Sequence, residues 1–342
     1  MLEKPHYLRN STGMTHDPFS DVLKLLGAQP VLAGGFTAGG SWALRFPAPD
    51  KIKFAALVKG ACWLLVDGDE TAVRVETGDV VLLSAKRAFV LASDLDVTPL
   101  EATPLFAGLA RKFVTLGETE DCIHLGGHVL LDSTNGDFLA SALPPLIHVR
   151  GSSAHAADLK WLIERLVREL TDDLPGASIA STQLAQLMFV QLLRAHLAGS
   201  GAFPAGWLRA LSDARLTPAL RLMHGEPGRE WKLETLAKEC AMSRTTFALH
   251  FRTAAGVTPL AYLTAWRMRL AARSLQDGNV PVAALGRSLG YTSESAFSNA
   301  FKRMTGYAPR QYRSVHARTP APGLEEPEPE PEPESDSASL VV

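Results

Sequence analysis

Cys122, His124 and His128, set at even intervals, are the residues whose chemistry comes closest to a metal site in this chain. A thiolate and two imidazoles suit a soft transition metal, and in an extended strand residues of one parity project from one face. Gly126 and Gly127 fall between the histidines, however, and a glycine pair would bend the strand and spoil the shared parity. The favoured reading is a small buried thiol and two hydrogen-bonded histidines lining a core or pocket rim, with no metal, no cofactor and no catalytic residue. Trp42, Arg45, Phe54 and Trp63 form a second set, able to line a small-molecule cavity with aromatic faces and one cation. Aromatic residues in strands also serve as plain core, and the sequence does not choose between the two uses.

The elements that would carry these residues are short. After a helix over Pro18–Leu26 come apolar runs at Ser41–Phe46, Phe54–Val58, Cys62–Val66, Ala72–Val75, Val80–Ser84, Phe89–Ala92 and Ile123–Leu131. Turn signals such as Asp67-Gly68-Asp69 and Thr77-Gly78-Asp79 separate them, and this spacing predicts a closed sheet or a sandwich. Two helical stretches follow. Asp158–Leu170 places Leu159, Leu162, Ile163, Leu166 and Leu170 on one stripe. Ser181–Leu197 gathers Leu184, Leu187, Met188, Val190, Gln191 and Leu193 on a broad apolar face. Such a pair can pack on the sheet or against its copy in a partner subunit. Gly199–Trp207, rich in glycine and small residues, reads as a hinge.

The segment Leu233–Tyr312 contains one phrase twice. Leu236 matches Leu285 at an offset of 49, whereas Phe247/Phe297, Phe251/Phe301, Gly256/Gly306, Pro259/Pro309 and Tyr262/Tyr312 match at 50, so the second copy has one extra residue in its turn. Each copy reads as two short helices joined by a tight turn. In the first, Leu233, Leu236, Ala237 and Cys240 share a face, and Ser243 is a good N-cap for a helix that buries Phe247 and Phe251. That is the pattern of a helix-turn-helix, whose second helix enters the major groove. Between the copies, Pro259 to Gln276 forms one connecting helix. From Ala205 to His316 there are 16 Lys and Arg against 7 Asp and Glu, a net of +9, while the whole chain carries −2. The basic charge is concentrated where DNA would lie.

At these residues the chain resembles the AraC/XylS family of bacterial transcription regulators. The resemblance runs from about Asp213 to Arg313, and GYTSESAFSNAFKRMTGYAPRQYR matches the family's most recognisable motif almost throughout. It implies double-stranded DNA as a partner, RNA polymerase as a second partner for an activator, and a homodimer formed through the two helical stretches. Carrying the family's groove-facing positions onto this chain, the first recognition helix presents Thr245, Ala248 and Leu249, with Arg244 and Thr246 near the phosphates. The second presents Glu294, Ser295, Ser298 and Asn299. Further upstream, WALRFPAPD, LVKGACWLLVDG and VETGDVVLLS are similar to the cupin-type sensory domain of one branch of the family, on Gly60, Gly78, Asp79 and the strand order. Cupin enzymes hold their metal with histidines and a glutamate spread over two motifs. Here the strand before Gly60 and the later motif ending Arg87-Ala88-Phe89-Val90 supply no histidine, which implies a metal-free sensor for an unknown small-molecule effector.

The remaining composition fits. With 342 residues and 46% hydrophobic content the chain can build two ordinary cores, and three cysteines give no disulfide framework. No run of 18 apolar residues exists and the N-terminus lacks a signal-peptide core, so the expected compartment is the cytoplasm, with the nucleoid, and no membrane. The expected fold is α+β and multidomain. Residues 1–13 form a disordered or misannotated extension, 14–150 a cupin-like β-barrel or sandwich, and 151–204 a helical dimerisation and linker region. An all-α DNA-binding domain with two helix-turn-helix units covers 205–316, and a disordered tail of alternating proline and glutamate covers 317–342. The expected function is a sequence-specific transcription regulator, an activator by family habit and not an enzyme. One alternative is a metal-dependent cupin enzyme fused to a DNA-binding domain, which a bound metal with turnover would favour. Another is a ligand-independent DNA-binding protein, which predicts no small-molecule effect.

Overall fold

The computed structural model describes residues 17–107, 113–131, 139–140, 142–153, 156–172, 174–199, 205–278 and 280–316. The extension at 1–13, the acidic tail at 317–342 and most of the hinge at Gly199–Trp207 lie outside the described residues. The chain forms two compact units, Met1–Arg267 and Met268–Val342.

The first unit opens with helix α1 (Pro18–Leu25), capped by Asp17, whose carboxylate accepts from the Phe19 amide at 3.1 Å. Eleven strands follow among the described residues: β1 (Gln29–Ala38), β2 (Ala43–Phe46), β3 (Ile52–Lys59), β4 (Ala61–Val66), β5 (Val73–Glu76), β6 (Val80–Leu83), β7 (Phe89–Ala92), β8 (Leu100–Glu101), β9 (Phe113–Leu116), β10 (Cys122–Leu130) and β11 (Leu146–Val149). A short helix α2 (Ala102–Phe106) follows β8. One sheet has the order β11-β6-β3-β10-β1-β9, the other β5-β4-β7-β2-β8. These are two open sheets facing each other, so of the expected barrel or sandwich the protein adopts the sandwich. The alternation of β4 shows how the core forms: Cys62, Leu64 and Val66 point inward and join Phe36, Trp42, Leu44, Leu57, Val81, Leu91 and Cys122 in one apolar cluster.

Two devices shape the sandwich. Gly60, at φ +87°, turns the chain from β3 in one sheet to β4 in the other, and a Cβ there would lie 2.2 Å from the Asp121 carbonyl oxygen. Asp79, buried after the turn at Gly78, accepts from the Glu76 amide at 3.0 Å and the Gly151 amide at 2.7 Å. It also bonds to His148 Nε2 at 2.6 Å, tying the β5–β6 turn to the end of β11.

Helices α3 (Ala156–Thr171) and α4 (Ala177–Ala198) pack on each other and on the first sheet, α3 against β3 and α4 against β1 and β11. The α3 stripe is buried at Leu159, Leu162, Ile163 and Leu166, as its spacing predicts, but Leu170 is exposed. On α4 the buried face is Ala185, Met188, Phe189, Leu192 and Leu193, and Leu187 is exposed. The expected face was rotated because this helix is apolar almost all round. The same unit continues with α5 (Trp207–Ser212), α6 (Thr217–Gly225), α7 (Leu233–Glu239), α8 (Arg244–Ala255) and the start of α9 (Pro259–Asp277). Asp21 on α1 approaches His224 on α6 at 3.7 Å, and His224 stacks on Trp266 at 4.0 Å and bonds to Tyr262 Oη at 2.9 Å.

The second unit holds the rest of α9, then α10 (Val282–Ser288), α11 (Glu294–Thr305) and α12 (Pro309–His316). No helix among the described residues is long and apolar enough to cross a membrane.

Candidate nucleic-acid interface

The two copies of the repeated phrase form two helix pairs, α7–α8 and α10–α11, built on one plan. Each second helix begins at a serine cap: Ser243 Oγ accepts from the Thr246 amide at 3.2 Å, and Ser293 Oγ from the Ala296 amide at 3.1 Å. Each ends at a glycine in the left-handed region, Gly256 at φ +75° and Gly306 at φ +82°. Beneath each helix runs a ladder of three rings. Phe247 meets Phe251 at 5.7 Å and Phe251 meets Tyr262 at 5.5 Å, while Phe297 meets Phe301 at 5.9 Å and Phe301 meets Tyr312 at 5.2 Å. All four phenylalanines are wholly buried, so each ladder fixes its helix against the following one and turns the opposite face outward.

The turns differ by one residue. α7 ends at Glu239 and α8 begins at Arg244, whereas α10 ends at Ser288 and α11 begins at Glu294. The left-handed position of the turn is Gly290 in the second copy and Ala241, at φ +52°, in the first. Small residues sit where the helices approach: Ala237 is buried in the first copy, and a Cβ on Gly286 in the second would lie 3.1 Å from the Phe297 side chain.

The outward faces carry the residues expected there. On α8, Arg244, Thr245, Thr246 and Leu249 are exposed and Ala248 is half-buried; on α11, Glu294, Ser295 and Asn299 are exposed and Ser298 is half-buried. Leu249 is 67% exposed, and a leucine left in water beside polar neighbours suits contact with an apolar group such as a thymine methyl. Two surface ion pairs flank these faces, Arg244 with Glu234 at 3.0 Å and Arg310 with Glu294 at 3.6 Å. The carboxylate expected to read a base is thus held beside a guanidinium in the free protein, a pairing of which sequence spacing carries no sign.

The residues expected to line a sensory cavity do not share one surface. Trp42 lies in the core between the sheets, 5.2 Å from Phe36, while Trp63 points the other way from its neighbours Cys62 and Leu64 and is covered by Arg74 at 5.1 Å. Arg45 lies between the inward residues Leu44 and Phe46 and pairs with Asp67. Phe54 has the parity opposite to Ala55 and Leu57 of the core, and it fills the space beside Gly127, where a Cβ would lie 2.2 Å from its ring.

The histidine and cysteine set also separates. β10 runs unbroken through Gly126 and Gly127, so the expected bend is absent; the register shifts fall between Leu32 and Gly34 of β1 and, against β3, between Ile123 and His124. Cys122 and His124 face the core, where His124 stacks on Phe36 at 4.9 Å. His128 lies six residues from Cys122, and at about 3.4 Å per residue that is roughly 20 Å, too far to share an ion. Among the described residues no group of three or more His, Cys, Asp or Glu side chains could hold a metal. Burial pushes His124 down from its ordinary value to about 4, so it is neutral at physiological pH.

Known proteins agree with both halves of this geometry. Residues 17–198 match the cupin family and residues 236–314 match a helix-turn-helix domain. A Streptomyces antibioticus protein described as an AraC-like transcription regulator is 38% identical over 87% of this chain and 98% of its own length. The HTH-type transcriptional regulator AlkR of Acinetobacter baylyi is 31% identical over 80% of this chain and 91% of its own. The RCS-specific HTH-type transcriptional activator RclR of Escherichia coli is 30% identical over 87% and 97%. With a cupin-type domain ahead of two capped helix-turn-helix units, and relatives matching along nearly their whole length, the chain belongs to the family of AraC-like transcription regulators.

Proposed function

We propose that the protein regulates transcription by placing α8 and α11 in major grooves of an operator, under control of a small molecule bound by the cupin-type domain without a metal. The observation that carries this is the repeated construction of the two helices, each held by a serine cap, a left-handed glycine and a ring ladder with a polar face turned outward. In this reading Thr245, Ala248 and Leu249 make mainly apolar contact, giving a loose, T-rich half-site, and Arg244 and Thr246 hold phosphates. Glu294, Ser295, Ser298 and Asn299 read the second half-site, with the Glu294 carboxylate suited to cytosine N4 and the Asn299 amide to adenine. The domain limits are those of the sequence: sensor over 14–150, helical dimerisation region over 151–204, DNA-binding part over 205–316. One relative's name gives it as an activator, which supports activation here, with RNA polymerase as the further partner.

Selection of bound sequences from a random DNA pool by the purified full-length protein tests the reading. The enriched motif should have two unequal half-sites. Asn299→Ala should cost about 1–3 kcal/mol and relax preference at one base position of the better-defined half-site. An unchanged base-preference profile would refute the placement of α11.

A further inference from the structure

Cys62 and Cys122 stand far apart in sequence but meet at the corner where the chain passes from one sheet to the other. β3 and β10 pair antiparallel with Lys59 opposite Ile123, and one further step of that register brings Gly60 opposite Cys122. The approach is close: a Cβ on Gly60 would lie 3.1 Å from Cys122 Cα. Cys62, two residues beyond the glycine, opens onto the facing sheet from the same corner, and its side chain and that of Cys122 belong to the same apolar cluster between the sheets. The Cys62 thiol donates to the Cys122 sulfur. This contact holds Cys62 protonated and draws Cys122 toward the thiolate, and burial adds to the first effect and opposes the second. Neither sulfur is committed to a metal or a structural disulfide.

From this geometry we infer that Cys62 and Cys122 form a redox-active dithiol, closed to an intramolecular disulfide by a two-electron oxidant of the peroxide class. The Cys122 thiolate attacks one peroxide oxygen and the O–O bond breaks; the departing hydroxide takes a proton to become water, leaving Cys122 as the sulfenic acid. The Cys62 sulfur then attacks the Cys122 sulfur as its own proton is lost. An S–S bond forms, the S–O bond breaks, and a second water leaves. Two thiols are oxidised by two electrons and one peroxide is reduced to two waters. Buried as the thiols are, Cys122 is the first residue of β10 and follows exposed Asp121, so opening of one strand end admits an oxidant little larger than water. The product would tie β4 of one sheet to β10 of the other and fix the sandwich at its corner.

Peptide mapping of the reduced full-length protein after hydrogen peroxide, acid quench and alkylation tests this. The expected result is one cross-linked peptide pair containing Cys62 and Cys122, lighter by two hydrogens than the reduced pair and released by dithiothreitol. Cys240, whose thiol burial pushes up, should remain alkylatable. In Cys62→Ser, Cys122 should instead accumulate a sulfenic acid that dimedone traps. Cys62 and Cys122 both remaining alkylatable in the wild-type protein would overturn the inference. So would Cys122 reaching the sulfinic acid with Cys62 still free, or a cross-link to Cys240 or to a second chain. The wild-type peptide map is decisive by itself, so the outcome does not depend on how well the variant folds.

Discussion

His124 shows how far a single residue's chemistry depends on its surroundings. An unfolded histidine takes up a proton near pH 6.5, whereas His124 in the core stays neutral down to about 4. Between those values the unfolded state binds more protons, so this group's contribution to stability is complete above pH 6.5 and falls as the pH drops toward 4. His124→Phe should remove that dependence. In urea melts its loss of stability between pH 7 and pH 5 should be smaller than the wild type's by about 2 kcal/mol, and equal losses would mean that His124 does charge in the folded protein. Ala241 carries a different strain, since its Cβ must accept the left-handed conformation that Gly290 occupies freely in the second copy. Ala241→Gly should raise stability by about 0.5–1 kcal/mol, because relief of the left-handed penalty exceeds the added chain entropy. A lower melting temperature would show that the turn is not strained. The exposed positions of α8 and α11 were legible because the repeat fixes their phase. A pocket could not be assembled from Trp42, Arg45, Phe54 and Trp63, because strand parity divides them between faces.

At the scale of elements, α3 and α4 present Trp161 at 57%, Ile179 at 72% and Leu187 at 42% exposure after their inner faces have been used on the sheet. Apolar surface of that kind is what an isologous dimer would cover. The wild type should sediment as a dimer, and full-length protein carrying Trp161→Glu and Ile179→Glu should sediment as a monomer and bind an operator more weakly. A dimeric variant would move the interface elsewhere. Helices α1, α3, α4 and α9 were legible to within a few residues because their periodicity and caps are local, whereas the short helices α2, α5 and α6 were not read. Nor was β1. Pro30, Gly34 and Gly35 look like turn signals, yet the strand lies between β10 and β9 in its sheet, with a register shift between Leu32 and Gly34. Gly35 is required by tertiary closeness, since a Cβ there would lie 2.2 Å from the His124 carbonyl oxygen. No window of sequence contains that neighbour. The rotated face of α4 has a related cause, for a helix apolar on most sides leaves the choice of buried face to whatever it packs against.

For the whole molecule, charge is arranged unevenly: a net of +9 over 205–316 is followed, after Arg318, by seven acidic residues and no basic one. Competition between those carboxylates and DNA phosphates would be weak and screened by salt. Deleting the residues after Arg318 should tighten non-specific DNA binding a few-fold at low ionic strength and leave sequence preference unchanged. Equal affinities of the two forms in an anisotropy titration would leave the tail a solubilising role. The contact of Asp21 with His224 has another consequence. α1 lies within the cupin match, and His224 touches Tyr262, which in turn packs on Phe251 of α8. If a sensor ligand works through this chain of contacts, the coupling must be reciprocal: the factor by which the ligand changes operator affinity is the factor by which operator DNA changes ligand affinity. Operator DNA would then serve as a reagent for identifying the unknown effector, because the compounds worth pursuing in a binding screen are those whose affinity changes when DNA is added.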